Sequence, residues 1–485
     1  MSGEEKEGEG KVGMKKQLGL MNGVTLIVGS IVGSGIFISP MGVYKHAGSV
    51  GVALVIWIVS GIISMFGAIC FAELGTIVTG SGADYAYIRE AFGPIPAFMR
   101  LWVALIVIRP TLQAIVSLTF AQYIVKPFYL TCEPPNESVV LMAALCLLIL
   151  TFVNCASVKA ATRVQDFFTF GKIGALIIII ASGVYYMADS GLSNLDNMFS
   201  TTPTVGGVSL GLYSGLFAFF GWSFLNFVTA ELKHPYRDLP RSIMIGLPIV
   251  TIIYVLTNVA YFAVVSEMEL LSTPAVGITY GDKLFGKWVF VIPIFVAMST
   301  FGTVNGIIFT SARLFHTGAM DGQLPEFFTY LHYKANTPIP SLIFTCVLSI
   351  LMLVGADIYA LINYVSVVLW LGVGVAVAGL LILRRKNPER PLKINIVFPL
   401  VFLVFCTFLV VFPAISSPFD VGMGLVFTAT GLPMYFVMQY SKKLDDKHPL
   451  SKFSNSFNRF LRKLMAVAPP QTMDPLLEKE QKEKT

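Results

Sequence analysis

Ile31-Val32-Gly33-Ser34-Gly35-Ile36-Phe37 interrupts the first apolar run of the chain, residues 19–44, where an unbroken membrane helix would carry Leu or Ile. Two glycines around a serine weaken helical propensity. At that depth a freed backbone group finds no water, so unwound backbone survives only if protein encloses it or it lines a wet cavity. An unwound turn here would leave the N–H groups of Ser34 and Gly35 open to an anion at a helix N-terminus. The carbonyls that end the preceding half-helix, around Ser30 and Ile31, would suit a cation. Together they form a receptor for a zwitterion such as an amino acid. The same Gly-x-Gly spacing also serves close packing of two helices, and the motif alone leaves both readings open.

The surrounding chain is that of an integral membrane protein. Its 485 residues have a mean hydropathy of +0.74, with 55% hydrophobic and only 13% charged side chains. That is too little charge to cover a soluble protein of this size. Twelve apolar runs are each of roughly membrane-spanning length, at about 19–44, 51–79, 95–124, 138–156, 165–188, 208–231, 242–265, 288–316, 340–356, 358–383, 395–413 and 420–440. Several exceed a straight span, so tilt is expected. The opening MSGEEKEGEGKVGMKK mixes acids and bases without a small-residue cleavage site, which reads as a retained first helix.

With both termini cytosolic, only Lys45, Lys126, Lys283 and Lys287 fall outside, while Arg109 and Lys172 lie within spans and every other Lys and Arg is inside. This asymmetry sets the orientation. The net charge of +6 therefore reports topology, and no nucleic-acid partner is expected. No phosphate loop or metal-ligand spacing occurs, so neither a cofactor nor a metal is expected, and enzyme chemistry is the most remote of the readings.

Span six repeats the pattern of span one: in LYSGLFAFFGWSFLNFVTAEL, Gly215 and Gly221 bracket an aromatic patch. Interrupted helices at matching places in two halves point to a transporter with inverted repeats and a midplane site. The expected division is a cytosolic tail at 1–17, a repeat core of ten helices at 18–384, two further helices at 385–440 and a cytosolic tail at 441–485. SGADYAYIREAFGP reads as a short cytosolic amphipathic helix, NCASVKAATRVQD as a basic turn, and KHPYRDLPR as a stretch whose prolines oppose continuous helix. The loop from Phe315 to Pro338 has room for a small amphipathic helix, and the apolar patch Leu464–Val467 for docking on the cytosolic face. Five of the six cysteines sit in or at the ends of spans. Cys132 alone lies in an outside loop, which suggests an intermolecular disulfide. The sequon at Asn136 stands so close to span four that it is expected to go unused.

IVGSGIFISP, CFAELG, NCASVKAATRVQD, LYSGLFAFFGW with LNFVTAEL, NPERP and the PFYLTC loop together resemble the light subunits of heteromeric amino-acid transporters. These form the L-type branch of the amino acid–polyamine–organocation superfamily, and the resemblance covers about Lys16 to Pro469. It implies an all-α polytopic fold of 12 transmembrane helices, with a LeuT-like 5+5 inverted repeat plus two extra helices. It also implies sodium-independent amino-acid exchange at the plasma membrane, and a disulfide through Cys132 to a single-pass glycoprotein heavy chain.

Carried over by residue, the resemblance implies that the substrate carboxylate meets Ser34 and the N–H groups of Gly33 and Gly35. The ammonium would meet carbonyls at Ile31 and Phe217, with Phe217 also the gating aromatic. Phe220 or Phe219, Val116, Val365, Val367 and Trp370 would line the side-chain pocket. Lys172 falls where sodium-coupled relatives of the fold bind their ion and would hold the first helix through charge and dipole; snorkelling to a surface is its structural alternative. Departures are Phe220, where a small residue is common, Val365, Val367 and Leu369 at positions often more aromatic or polar, and Gly318–Gly322, which lacks the usual basic residue before Asp321. Arg109 faces either the cavity or the proline-broken turn beside Pro110, and Glu73 is expected to be a satisfied helix-end acid.

The leading expectation is an exchanger of neutral amino acids working by alternating access. The other readings are an amino-acid-binding nutrient sensor with little flux and an exchanger that also takes cationic or acidic substrates. Lys172 in place of an ion ligand predicts that replacing external sodium with choline leaves uptake unchanged; loss of most of the flux would exclude this role.

Overall fold

The computed structural model describes residues 19–78, 83–129, 132–191, 198–226, 232–272, 275–354, 358–441 and 448–469. The first span is broken where the glycines predict. α1 (Leu20–Ile31) and α2 (Gly35–Ala47) meet at 54°. α3 (Val50–Ile77) is followed by the short α4 (Asp84–Phe92), the amphipathic segment expected from the sequence. α5 (Pro94–Val103) passes through a π-helical turn at Ala104–Ile108 into α6 (Arg109–Val125), making one span. Pro110 has no N–H to give the preceding turn, and the wider π turn accommodates that loss.

α7 (Asn136–Ala156) and α8 (Val158–Ser190) are separated by Ser157 alone, so the basic stretch read as a turn is instead the start of α8. α9 (Val205–Ala218) starts at Thr204, whose Oγ1 accepts the Gly207 N–H at 3.0 Å, and stops in mid-span in turns that run to Asn226. The remainder of span six, 227–231, lies outside the described residues. α10 (Pro235–Val264) begins in the stretch where prolines argued against helix. Pro235 sits at the first helical position, which needs no donor. The carbonyl freed by Pro240 belongs to Tyr236, which is exposed.

Two short helices, α11 (Glu267–Ser272) and α12 (Val276–Phe285), precede α13 (Val291–Met320). The loop after α13 forms a 3-10 turn, Glu326–Thr329, and a strand β1 (Leu331–His332), rather than an amphipathic helix. There follow α14 (Ile339–Leu353), α15 (Ile358–Lys386), α16 (Val397–Ser416), α17 (Pro418–Ala429), α18 (Gly431–Ser441) and α19 (Pro449–Met465). Among the described residues, nine helical stretches and the bent α1–α2 pair are long and apolar enough to cross a membrane, and α9 and α14 are shorter apolar helices. The chain is therefore an all-α polytopic membrane protein. Its outer surface carries exposed Leu141, Phe152 and Val404, as a lipid-facing surface does.

Two groups of helices frame the interior. α1 and α3 pack on α10, and α2 and α3 on α9; opposite them, α6, α7, α13 and α14 pack on one another. α8 joins the groups by packing on both α13 and α10. Spans five apart in sequence fall in the same group, one with six, two with seven, three with eight and four with nine.

One buried ionic cluster ties the outer helices to the first group. Glu73 of α3 is fully buried and accepts from Arg384 of α15 at 2.9 and 2.6 Å, and from Arg390 at 2.5 Å. The Ile394 N–H donates to the same carboxylate at 3.3 Å. CFAELG and NPERP, two stretches far apart in sequence, thus meet at one carboxylate. Glu73→Ala would strand two arginines at a cost of about 3–5 kcal/mol. Its melting temperature in detergent should fall well below that of an exposed-site control, Glu137→Ala; equal values would show that the cluster does not hold α15 and the following loop in place.

Candidate functional site

The site begins at the broken span. Val32 N–H closes the last turn of α1 on Val28 at 2.9 Å, and Ser34 is the residue before α2. The first N–H groups of α2 have no carbonyl one turn back within their own helix. Span six stops alongside. A Cβ added to Gly35 would fall 2.3 Å from Ala218 Cα, so the start of α2 touches the end of α9 backbone to backbone. Gly221 has φ +113°, and a Cβ there would fall 2.7 Å from the carbonyl oxygen of Ser30. Ser30 Oγ donates to Gly221 O at 3.3 Å.

Tyr254 of α10 joins the two breaks. Its buried hydroxyl lies 2.9 Å from Ile31 O and 3.1 Å from Ala218 O, so one proton serves the last carbonyls of both half-helices. The breaks are therefore one fitted assembly.

A cavity of about 510 Å³ opens from this assembly between the two helix groups. Ile31, Gly33, Ser34, Gly35, Val116, Lys172, Phe217 and Phe220, all singled out in the sequence, line it. The carbonyls at the two breaks already have partners. Ile31 O lies within reach of Tyr254, and Phe217 O accepts the Phe220 N–H at 3.1 Å, yet a carbonyl oxygen has a second lone pair for a cation.

Trp370 is not part of this lining. It is buried against Phe402 with ring centroids 6.2 Å apart, because α15 turns this face toward α16. Val365 and Val367 are likewise buried away from the cavity, Val367 lying close to Gly424 of α17. Phe219 packs on Trp57 and Tyr254, with centroids at 6.3 and 5.1 Å. Phe220, by contrast, stands between the main cavity and a smaller one of about 60 Å³ that contains Arg109, Asp84 and Arg100. Arg109 donates to Thr310 Oγ1 at 3.2 Å, from the smaller cavity.

The opposite wall escaped sequence reading. Thr303, Gly306, Thr310, Arg313 and Thr317 of α13 line the cavity. Their spacing by threes and fours is one helical face, a stripe of small and polar residues within an apolar span that the sequence displays. Among the described residues, Lys172 and Arg313 are the charged side chains of the lining, and no Asp or Glu belongs to it. Lys172, buried on α8, donates to Gly29 O in the last turn of α1 at 3.4 Å, where the helix dipole favours a cation. The Arg313 guanidinium lies 3.8 Å over the Phe309 ring.

The lining extends to Leu26 of α1 and Thr317 of α13, toward the end of the bundle where α1 begins and α13 finishes. There Asp321 finds its partners on α4, with Arg89 Nη1 at 2.9 Å and the Tyr85 hydroxyl at 3.2 Å. Asp84, also on α4, pairs with Arg100. Cys132 is exposed at the opposite end, where Lys126 donates to its carbonyl at 3.1 Å and to Glu133 at 2.7 Å. Glu73 is the satisfied helix-end acid the sequence predicts. Asn136 is the first residue of α7.

Two facing helix breaks above a cavity lined by small and aromatic side chains are the architecture of a membrane transport protein. The amino acid permease family model matches residues 18–438, and the chain belongs to this family. The chain is 49% identical over 439 residues to the large neutral amino acids transporter small subunit 2 of Homo sapiens, covering 89% of this chain and 82% of that protein. It is 44% identical over 468 residues to the Asc-type amino acid transporter 1 of Mus musculus, covering 95% and 88%. With the cystine/glutamate transporter of Homo sapiens it shares 41% over 474 residues, covering 97% and 94%.

The junction of the breaks makes a direct prediction. Gly221→Ala forces a side chain into left-handed backbone and into the Ser30 carbonyl, so uptake should be lost with the protein still in the membrane. Gly422→Ala, where an added Cβ meets nothing within 4 Å, is the control. Normal uptake by Gly221→Ala would mean that the breaks need not touch.

Proposed function

We propose that the chain is a sodium-independent exchanger of neutral L-amino acids, and that it works as the light subunit of a heterodimer in the plasma membrane. The observation that carries this reading is the junction of the two breaks, with open N–H groups at the start of α2 and carbonyls at the end of α1 on one cavity. Those groups match a carboxylate and an ammonium on one carbon. The described residues of the lining include no Asp or Glu, which bears on the side chain. A cationic side chain entering this wall would lack a counter-charge, at roughly several kcal/mol. An apolar one gains on the order of 25 cal/mol per Å² buried. The names of the similar proteins, among them a neutral amino-acid transporter, support the same class of substrate.

Positive-inside charge supports cytosolic termini. The cavity then faces the cytosol, and alternating access requires the α1–α2–α3–α9–α10 group to tilt against the α6–α7–α13–α14 group until the outer side opens. Phe217 is the ring that closes over the substrate from outside. Lys172 supplies, as a fixed charge on the end of α1, what a bound ion supplies in sodium-coupled relatives of the fold.

The small-subunit name of one relative supports a heavy-chain partner, and exposed Cys132 is the residue proposed to link it. Non-reducing gels of the co-expressed pair should show a larger species that Cys132→Ser removes while some surface activity persists. An unchanged pattern would refute the link.

A second reading rests on Lys172 and Arg313, which favour an acidic side chain, and on the likeness to a cystine/glutamate transporter. Competition separates the two. Excess leucine should suppress labelled leucine uptake strongly, phenylalanine less because Phe220 occupies ring space, and arginine and glutamate weakly. Strong suppression by glutamate would move the assignment to the acidic reading. Acceleration of uptake by preloaded unlabelled amino acid would separate exchange from a sensor that binds without flux.

A further inference from the structure

α19 is held to the body by one face and leaves a second, chemically different face open. On the docked face, Asn458 and Leu461 are buried, and Asn458 Nδ2 donates to Glu326 at 3.2 Å. Arg462 donates to Glu326 at 3.1 Å and to the Tyr330 hydroxyl at 2.8 Å, with its guanidinium 4.6 Å over the Tyr330 ring. Beyond the helix, β2 (Val467–Ala468) pairs antiparallel with β1, His332 opposite Val467. The apolar patch predicted to dock is thus divided: Val467 is buried in the pairing, whereas Leu464 is 65% exposed.

Leu464 shares the open face with Phe460, 58% exposed and four residues before it along the helix, whereas Phe457 packs edge-on against Phe327 with ring centroids 5.9 Å apart. Lys452, Arg459 and Lys463 form an adjoining exposed stripe, and Pro449–Met465 contains no Asp or Glu. The anchor places this helix at the edge of the hydrocarbon. The loop that holds it, 321–338, joins α13, which is long and apolar enough to cross a membrane, to the shorter apolar helix α14, and its strand is only a few residues from the start of α14.

We infer that the open face of α19 lies on the bilayer, with Phe460 and Leu464 in the acyl boundary and Lys452, Arg459 and Lys463 against anionic lipid headgroups. Charge complementarity and position select this occupant. A basic helix with large apolar side chains on a neighbouring face is the form that lies in a membrane interface. Each basic side chain near an anionic surface multiplies partitioning by about five-fold. By holding Glu326 and Tyr330, the seated helix also fixes the loop at the end of α13, the helix that supplies the cavity's polar stripe.

The test is made on the full chain in lipid nanodiscs and does not depend on transport or on orientation. Phe460→Trp and, separately, Leu464→Trp are placed in discs whose phosphatidylcholine carries brominated acyl chains, with and without phosphatidylserine. The emission gained over the parent chain should be quenched, and more strongly with phosphatidylserine present. Lys452→Glu/Arg459→Glu/Lys463→Glu, which leaves Arg462 and its contacts intact, should remove that gain. Added tryptophans that stay unquenched in both lipids would overturn the inference and mean that water, a second copy or another protein covers the face. Quenching indifferent to phosphatidylserine would overturn the headgroup assignment.

Discussion

Everything in the interior follows from one constraint: a helix broken inside a membrane must find partners for the backbone groups it releases. This chain breaks two spans and lets each satisfy the other. Ser30 reaches Gly221 across the junction, and Tyr254 offers a single hydroxyl to carbonyls on both sides. Glycine is required at Gly35 because Ala218 backbone occupies the place of its side chain, and at Gly221 because of its positive φ. Groups that remain open are few and grouped, at the end of α1 and the start of α2. Their grouping, more than any single side chain, makes the cavity selective for a zwitterion on the proposed function.

Fixed charge in the interior is used in two ways. Glu73 with Arg384 and Arg390 is a structural cluster in which one carboxylate is paired with two guanidiniums, away from the cavity. Lys172 and Arg313 are cations on the cavity wall, directed respectively to a helix terminus and to an aromatic face. The first arrangement resists change, since separating its members would leave charges buried alone. The Lys172 contact, at 3.4 Å, is a long one that permits rearrangement.

The sequence disclosed the span positions, the break at Gly33–Gly35 and most of the lining contributed by α1, α6, α8 and α9, because each is marked by a local departure from plain apolar helix. It misplaced Trp370, Val365 and Val367. A smooth apolar helix such as α15 gives no internal sign of its rotation, and only packing on α16 and α17 decides which face is inward. The polar face of α13 was visible as a 3–4 spacing but lay in a span without a break or an interior charge before Arg313. The loop after α13 became a 3-10 turn and a strand because its hydrogen-bond partner, Val467, is more than a hundred residues away, beyond what local propensity registers. Pro235 and Pro240 misled for a simpler reason: Pro235 sits where no donor is needed, and the carbonyl that Pro240 frees belongs to exposed Tyr236.

The distribution of contacts explains how one molecule can be both rigid and mobile on the proposed function. Within the first group, backbones touch at Gly35–Ala218 and at Gly221–Ser30, with no room for a sliding side chain. Between the groups, across the cavity, Lys172 meets Gly29 O at 3.4 Å and Thr303 Oγ1 would stand 3.2 Å from a Cβ at Gly33. These cross-cavity contacts end on main chain and require no particular side chain opposite. Tilting one group therefore exchanges them without breaking the junction that holds the amino-acid backbone. On the proposed function, side-chain selectivity would then rest on Phe220, which with Phe224 and Leu314 stands between the main cavity and the compartment of Arg109.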